Sequence, residues 1–71
     1  MKFRAFIQIL VRHGFELHRQ RGSSHRVYKG RIGGTTRLVV VAFHSENDDI
    51  KPGTLASMIR QSGLPKRTFR G

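Results

Sequence analysis

The chain has 71 residues, enough for one small hydrophobic core and too few for two. Its 14 Lys and Arg against 4 Asp and Glu give a formal net charge of +10, and the absence of cysteine excludes disulfides and thiolate metal sites. Such a charge favours a polyanionic partner, above all nucleic acid, with an anionic membrane or an acidic protein as alternatives. The longest apolar run, 38–43, is too short to span a bilayer. We therefore expect a single cytoplasmic domain over residues 1–71, without membrane association and with a basic tail at about 65–71.

Apolar residues recur at helical spacing near the start of the chain, at Phe3, Phe6, Ile7, Leu10 and Val11. The pattern stops at about residue 13, and Gly14 follows as a residue that readily adopts the left-handed conformation found at helix ends. These features predict a first helix over about 3–13, with an apolar stripe that covers a sheet.

Two strands are predicted next, because apolar and polar residues alternate on both sides of a break at residue 22. A three-residue loop, 21–23, pairs Arg19 with His25 and places Leu17 and Val27 together on the buried face. A two-residue loop would mix apolar and polar residues on each face. We therefore prefer the three-residue loop.

A third strand is predicted after Ile32-Gly33-Gly34-Thr35, which is typical of a tight hairpin. In this register Val40 lies opposite Val27, and Ala42 lies opposite His25. The third strand is apolar on both faces, whereas two helices cover only one. We expect an apolar patch on the uncovered face, either an interface or a surface that the tail covers, formed by Tyr28, Val39, Val41 and Phe43.

The last regular element is a helix that begins at about Pro52, buries Leu55, Met58 and Ile59, and ends near Gly63. The resulting order, helix-strand-strand-strand-helix, predicts an α+β fold with a three-stranded antiparallel sheet and both helices on one face. Double-stranded-RNA-binding domains share this topology, although fold alone does not establish function.

The residues with the clearest chemistry form one stretch, Arg19-Gln20-Arg21-Gly22-Ser23-Ser24-His25. Arginine binds phosphate in a bidentate manner, and a glycine turn lets the backbone approach a ligand. His25 is the group in this stretch that exchanges a proton near neutral pH. The stretch therefore predicts a phosphate-handling site, against the alternative that His25 is a half-buried, hydrogen-bonded strand residue beside Ala42.

Two further residues are secondary candidates for this site. His44 lies near the same end of the predicted sheet, where it is either an acid for the leaving group or a residue that terminates the strand. Arg26 falls on the face opposite His25 in our register, so we expect it in solvent. The histidine spacing matches no zinc motif.

Taken together, these residues resemble the HicA family of toxins, mRNA interferases found beside HicB antitoxins. The resemblance covers almost the whole chain and rests on Gly14-Phe15, Arg19 to His25, Tyr28, His44, Lys51-Pro52-Gly53-Thr54-Leu55 and Gln61-Ser62-Gly63-Leu64. It implies a fold like that of double-stranded-RNA-binding domains and RNA cleavage without a metal or another cofactor. It also implies a HicB-like antitoxin that covers the site in a hetero-oligomer.

The resemblance places the catalytic histidine of the family on His25. We expect a toxin endoribonuclease whose phosphate contacts are Arg19, Arg21, Gly22, Ser23 and Ser24. One alternative is a non-catalytic module that binds double-stranded RNA. Another is an interaction protein whose basic face meets an acidic partner.

Overall fold

The computed structural model describes residues 1–22 and 24–70. Its elements are α1 (Phe3–Arg12), β1 (Glu16–Arg21), β2 (His25–Ile32), β3 (Thr35–Ala42), α2 (Pro52–Ser62) and a short 3₁₀ helix (Lys66–Phe69). The strands form one antiparallel sheet in the order β1-β2-β3. The predicted α+β fold and its order of elements are confirmed. Within the described ranges, no helix has the length and apolar character needed to cross a membrane.

Both helices pack on one face of the sheet, and this layer is the hydrophobic core. Phe6 and Leu10 of α1 are fully buried there, and Met58 of α2 is 2 % exposed. The 3₁₀ helix joins the same core, because the ring of Phe69 stacks on that of Phe6 with 4.8 Å between centroids. The predicted basic tail therefore docks on α1 through Phe69.

The loop between β3 and α2 is held against the start of α1. The backbone N–H of Phe3 donates to the carbonyl of Asp48 (3.1 Å), and that of Arg4 donates to the carbonyl of Glu46 (2.9 Å). A helix leaves its first N–H groups without partners of its own, and no side chain caps α1. The loop carbonyls supply these partners, so the loop has a defined position beside the end of the sheet.

The structure corrects the face that we assigned to the apolar patch. Tyr28, Val39, Val41 and Phe43 lie in the core, between 0 % and 7 % exposed. The uncovered face instead presents Leu38 and Val40, which are 50 % and 47 % exposed. The prediction failed because β3 is apolar on both faces, so its pattern does not distinguish the buried face from the open one.

The two strand pairings had different outcomes. The β2–β3 register is confirmed, with His25 opposite Ala42 and Val27 opposite Val40. The β1–β2 register is wrong, because Arg21 lies opposite His25, and Arg19 lies opposite Val27.

The reason for the β1–β2 error is a β-bulge. The register shifts by one residue between Leu17 and Arg19, which leaves His18 without a cross-strand partner. Because the bulge reverses the alternation, Phe15 faces the core while Arg19 faces the open side. The ring of Phe15 packs on Gly30, where an added Cβ would lie only 2.8 Å from ring carbon Cγ.

This contact predicts that Gly30→Ala destabilises the fold. The base of the Phe15 ring cannot move without shifting β1, so we expect the free energy of unfolding to fall by about 1–3 kcal/mol. Urea denaturation followed by circular dichroism measures the change.

The matched control is Gly53→Ala in the first turn of α2, where an added Cβ meets no atom within 4 Å. Since alanine is the better helix former, we expect a gain of about 0.5–1 kcal/mol. Equal effects of the two substitutions would contradict the proposed packing of Phe15 on Gly30.

Candidate active site

The candidate site lies where the β1–β2 hairpin turns at one end of the sheet. Three residues, 22–24, connect Arg21 to its cross-strand partner His25. Gly22 has φ of +61°, the left-handed region that glycine occupies without strain. The side-chain amide of Gln20 donates to the carbonyl of Gly22 (3.3 Å) and braces this turn. Ser23, a predicted phosphate contact, lies outside the described residues.

His25 is exposed on the open face of the sheet, although it lies opposite Ala42 as predicted. The alternative of a strand histidine beside Ala42 is wrong in its half-buried ring, although the ring does have a hydrogen-bond partner. Its Nδ1 lies 3.3 Å from Oγ of Ser24. When Nδ1 carries the proton and donates to this hydroxyl, Nε2 presents its lone pair outward. The structure thus brings the hydroxyl of Ser24, a predicted phosphate contact, against the ring.

The two arginines of the predicted site share the open face with His25. Arg21 is directly across from it, and Arg19 lies two residues further along β1, opposite Val27. Both arginines are exposed, and neither forms an ion pair with a carboxylate in the described part of the chain. They remain available to a phosphate that approaches His25 from solvent.

Arg26 does not belong to this cluster. Its guanidinium donates to the Glu46 carboxylate (3.2 Å) and lies 4.9 Å from the centre of the Phe43 ring. Hydrogen bonding with the Tyr28 hydroxyl, together with Glu46, raises the pKa of Arg26 above its ordinary value. We had expected Arg26 in solvent, and this is corrected: it is half-buried and ties β2 to the loop before α2.

His44 lies at the same end of the sheet as the hairpin turn. It follows β3 and is exposed, while the preceding residue, Phe43, donates its backbone N–H to the carbonyl of Ser24 (2.9 Å). His44 therefore lies close to the turn in the fold, but no described hydrogen bond joins it to His25. In the described ranges, no three His, Asp or Glu side chains are grouped to hold a metal ion.

The sequence interpretation missed the surroundings of the site. Leu38 and Val40 lie on the same open face as His25, in the strand that pairs with β2. The usable signal was Gly30, since a glycine inside a strand often marks a close approach by another group. A large apolar ring such as that of Phe15 must be buried. Placing it on Gly30 would therefore have identified the buried face of the sheet.

The fold and the site together define a class: a small basic α+β domain that presents histidine and arginine on an uncovered sheet face. The comparisons with known proteins agree with this class. A model of the family described as "HicA toxin of bacterial toxin-antitoxin" matches residues 3–64, a segment that includes the whole site. The chain belongs to this family, and the family implies an antitoxin partner. No curated protein and no solved structure matches the chain.

The position of Arg26 predicts a role in stability. Replacing Arg26 and Glu46 by alanine, singly and together, should give a coupling free energy of about 0.5–1 kcal/mol in urea denaturation, since both side chains are partly exposed. The control pair is Lys2 and Asp49, which lie 3.8 Å apart and are far more exposed. We expect no measurable coupling there, and equal coupling in both pairs would argue against a structural role for Arg26.

Proposed function

We propose that the protein is a toxin endoribonuclease that cleaves mRNA in the cytoplasm, with His25 as the group that moves the proton. The observation that carries this proposal is the position of His25, exposed on the open sheet face directly opposite Arg21. Membership of the HicA toxin family supports it.

The chemistry requires one base and no metal. Nε2 of His25 takes the proton from the ribose 2′-hydroxyl, and the resulting oxygen attacks the adjacent phosphorus. The bond from phosphorus to the 5′ oxygen breaks, and that oxygen takes a proton from solvent. The products are a 2′,3′-cyclic phosphate and a 5′-hydroxyl. A positioned acid or base contributes about 10²–10⁴-fold to such a reaction.

The arginines supply the charge that the phosphate needs. Negative charge builds on the non-bridging oxygens as the 2′ oxygen attacks, and donors aimed at these oxygens stabilise the transition state. Arg21 is the nearest cation to His25 by strand pairing, and Arg19 extends the cationic strip along β1. At Gly22 in the turn, an added Cβ would meet no described atom within 4 Å outside its chain neighbours.

The open face also favours inhibition by a HicB-like antitoxin that covers the site. Leu38 and Val40 are each about half exposed there, and exposed apolar surface beside a charged rim is typical of protein interfaces. The chain has 14 basic and 4 acidic residues, so an acidic partner is complementary. A protein bound to this face would exclude RNA from His25.

The first test is cleavage of single-stranded RNA in excess chelator by the wild type and by His25→Ala. We expect cleavage by the wild type, cyclic phosphate ends on its products, and a loss of at least about 10²-fold in rate for the variant. Undiminished cleavage by His25→Ala would reject its assigned role, and cleavage only after metal is added would reject the mechanism.

The same proteins test the non-catalytic alternative, which the shared topology and the charge of +10 favour. A binding module would bind duplex RNA with an affinity that falls steeply with salt, and would yield no product from any RNA.

The second test concerns the antitoxin. Leu38→Asp places a charge in the apolar part of the open face, and we expect about tenfold more antitoxin to be needed for half-inhibition of RNA cleavage. The control is Val11→Asp on α1, since Val11 is equally apolar and 55 % exposed but lies outside the sheet. A similar loss of inhibition in both variants would show that the antitoxin does not depend on the open face.

A further inference from the structure

A pocket of about 340 Å³ lies at the same end of the sheet as His25. Its inner wall is apolar, formed by the edges of the stacked rings of Phe3 and Phe43, whose centroids are 5.2 Å apart. Its rim is polar, and the rim residues come from the end of β3, the following loop and the start of α2: His44, Asp48, Asp49, Lys51 and Thr54. An apolar wall with a few polar groups at the rim is typical of a site for a small planar group.

The pocket is adjacent to the candidate catalytic group. Ala42 lines the pocket and is also the cross-strand partner of His25. Neighbouring strands lie about 4.8 Å apart, so the pocket begins one strand away from His25. The bond from Phe43 N–H to the carbonyl of Ser24 fixes the turn against this end of β3. Other lining residues, such as Phe3 and Thr54, belong to the helix side of this end, whereas His25 is on the open face. A chain whose phosphate sits at His25 therefore reaches the pocket by bending around this end of the sheet.

The rim groups are free to contact a ligand. Within the described part of the chain, the side chains of His44, Lys51 and Thr54 have no hydrogen-bond partner. Asp48 uses one oxygen, Oδ2, to accept from the backbone of Ser45 (3.2 Å). The Asp49 carboxylate has a distant, exposed ion pair with Lys2, at 3.8 Å, as its one side-chain contact among residues 1–22 and 24–70.

The chemistry of the rim fits a nucleobase better than a second phosphate. Two carboxylates repel phosphate, whereas carboxylate oxygens accept hydrogen bonds from amino groups on base edges. Uracil offers only N3–H as a donor, and the two carbonyl oxygens beside it repel a carboxylate. The imidazole of His44 offers a plane on which a splayed-out base stacks, as in many single-stranded RNA sites. Lys51, also on the rim, carries a positive charge that partly offsets the two carboxylates.

We propose that this pocket binds the base next to the scissile bond and favours a base that carries an amino group (adenine, cytosine or guanine) over uracil. The proposal rests on the ribonuclease function proposed above. It makes His44 a positioning residue that stacks on the base, and Asp49 the acceptor that distinguishes amino-bearing bases from uracil. The leaving-group role that we considered for His44 is then not needed.

The test uses DNA oligonucleotides that contain one ribonucleotide, so that cleavage occurs at a single bond. The base on each side of that bond is varied in turn, and the rate with an amino-bearing base is divided by the rate with uracil. We expect a ratio of roughly tenfold for the wild type on one side of the bond. Asp49→Asn, which replaces an acceptor-only group with one that also donates, should bring the ratio to about 1–3.

Substitutions at His44 separate stacking from acid catalysis. His44→Phe keeps a flat ring and should keep most of the base preference, while His44→Ala should lose it. If His44 instead donates a proton to the leaving group, both variants will slow cleavage equally at every base and leave the ratio unchanged, which overturns the proposal. The control is Lys66→Gln, which removes a positive charge near the far end of α2 and should leave the ratio unchanged.

Binding provides a second measurement that does not depend on cleavage. In the His25→Ala background, dissociation constants for the same oligonucleotides should show the same preference, and Asp49→Asn should abolish it. A wild type without base preference, or with a preference that survives Asp49→Asn and His44→Ala, would overturn the pocket assignment. Cleavage that His25→Ala does not diminish would overturn the proposed function instead, and the binding ratios would still decide the pocket.

Discussion

The β-bulge between Leu17 and Arg19 is the constraint on which the sheet depends. A strand of strict alternation would place Phe15, Leu17 and Arg19 on one face, so that either the arginine is buried or the phenylalanine is exposed. The extra residue at the bulge reverses the alternation within β1. Phe15 then packs on Gly30 beneath the helices, and the arginines reach the open side. Burying a ring of this size stabilises a small fold by roughly 1.5–3 kcal/mol, while a buried, unpaired guanidinium would destabilise it.

As a consequence, the two faces of the sheet differ: one is buried in the core, and the other is exposed to solvent. The covered face holds the core, and Arg26 is compatible with it because Glu46 and the Phe43 ring neutralise and cover its charge. The open face combines exposed apolar residues of β3 with the cations of β1 and with His25. That combination suits two successive partners, RNA through charge and a protein inhibitor through charge and apolar contact. It also accounts for how 71 residues accommodate both a core and the proposed interface.

One end of the sheet carries most groups of the candidate site because three segments meet there. The hairpin turn carries His25, the end of β3 is bonded to that turn through Ser24, and the loop before α2 is held by the first N–H groups of α1. Each segment is short, and each is held by backbone hydrogen bonds, to which the side chains of Gln20 and Arg26 add. Tertiary contacts thus already order the backbone that carries the groups proposed to contact phosphate and base. Because less ordering is left for the binding step, the entropic cost of substrate binding is lower.

Much of this protein follows from local sequence pattern. Periodicity, turn glycines and Pro52 predict the helices, the strands and their order, because these signals depend on a few neighbouring residues. The hairpin at Gly33-Gly34 places β2 against β3 correctly, since a tight turn determines the register of its strands. The stretch from Arg19 to His25 identifies the candidate site by residue type alone. Tertiary structure decided three other features: which face of the sheet is buried, which residue of β1 lies opposite His25, and the burial of Arg26. Each of these depends on the bulge and on the packing of Phe15 against Gly30, a contact between distant residues that no local period encodes.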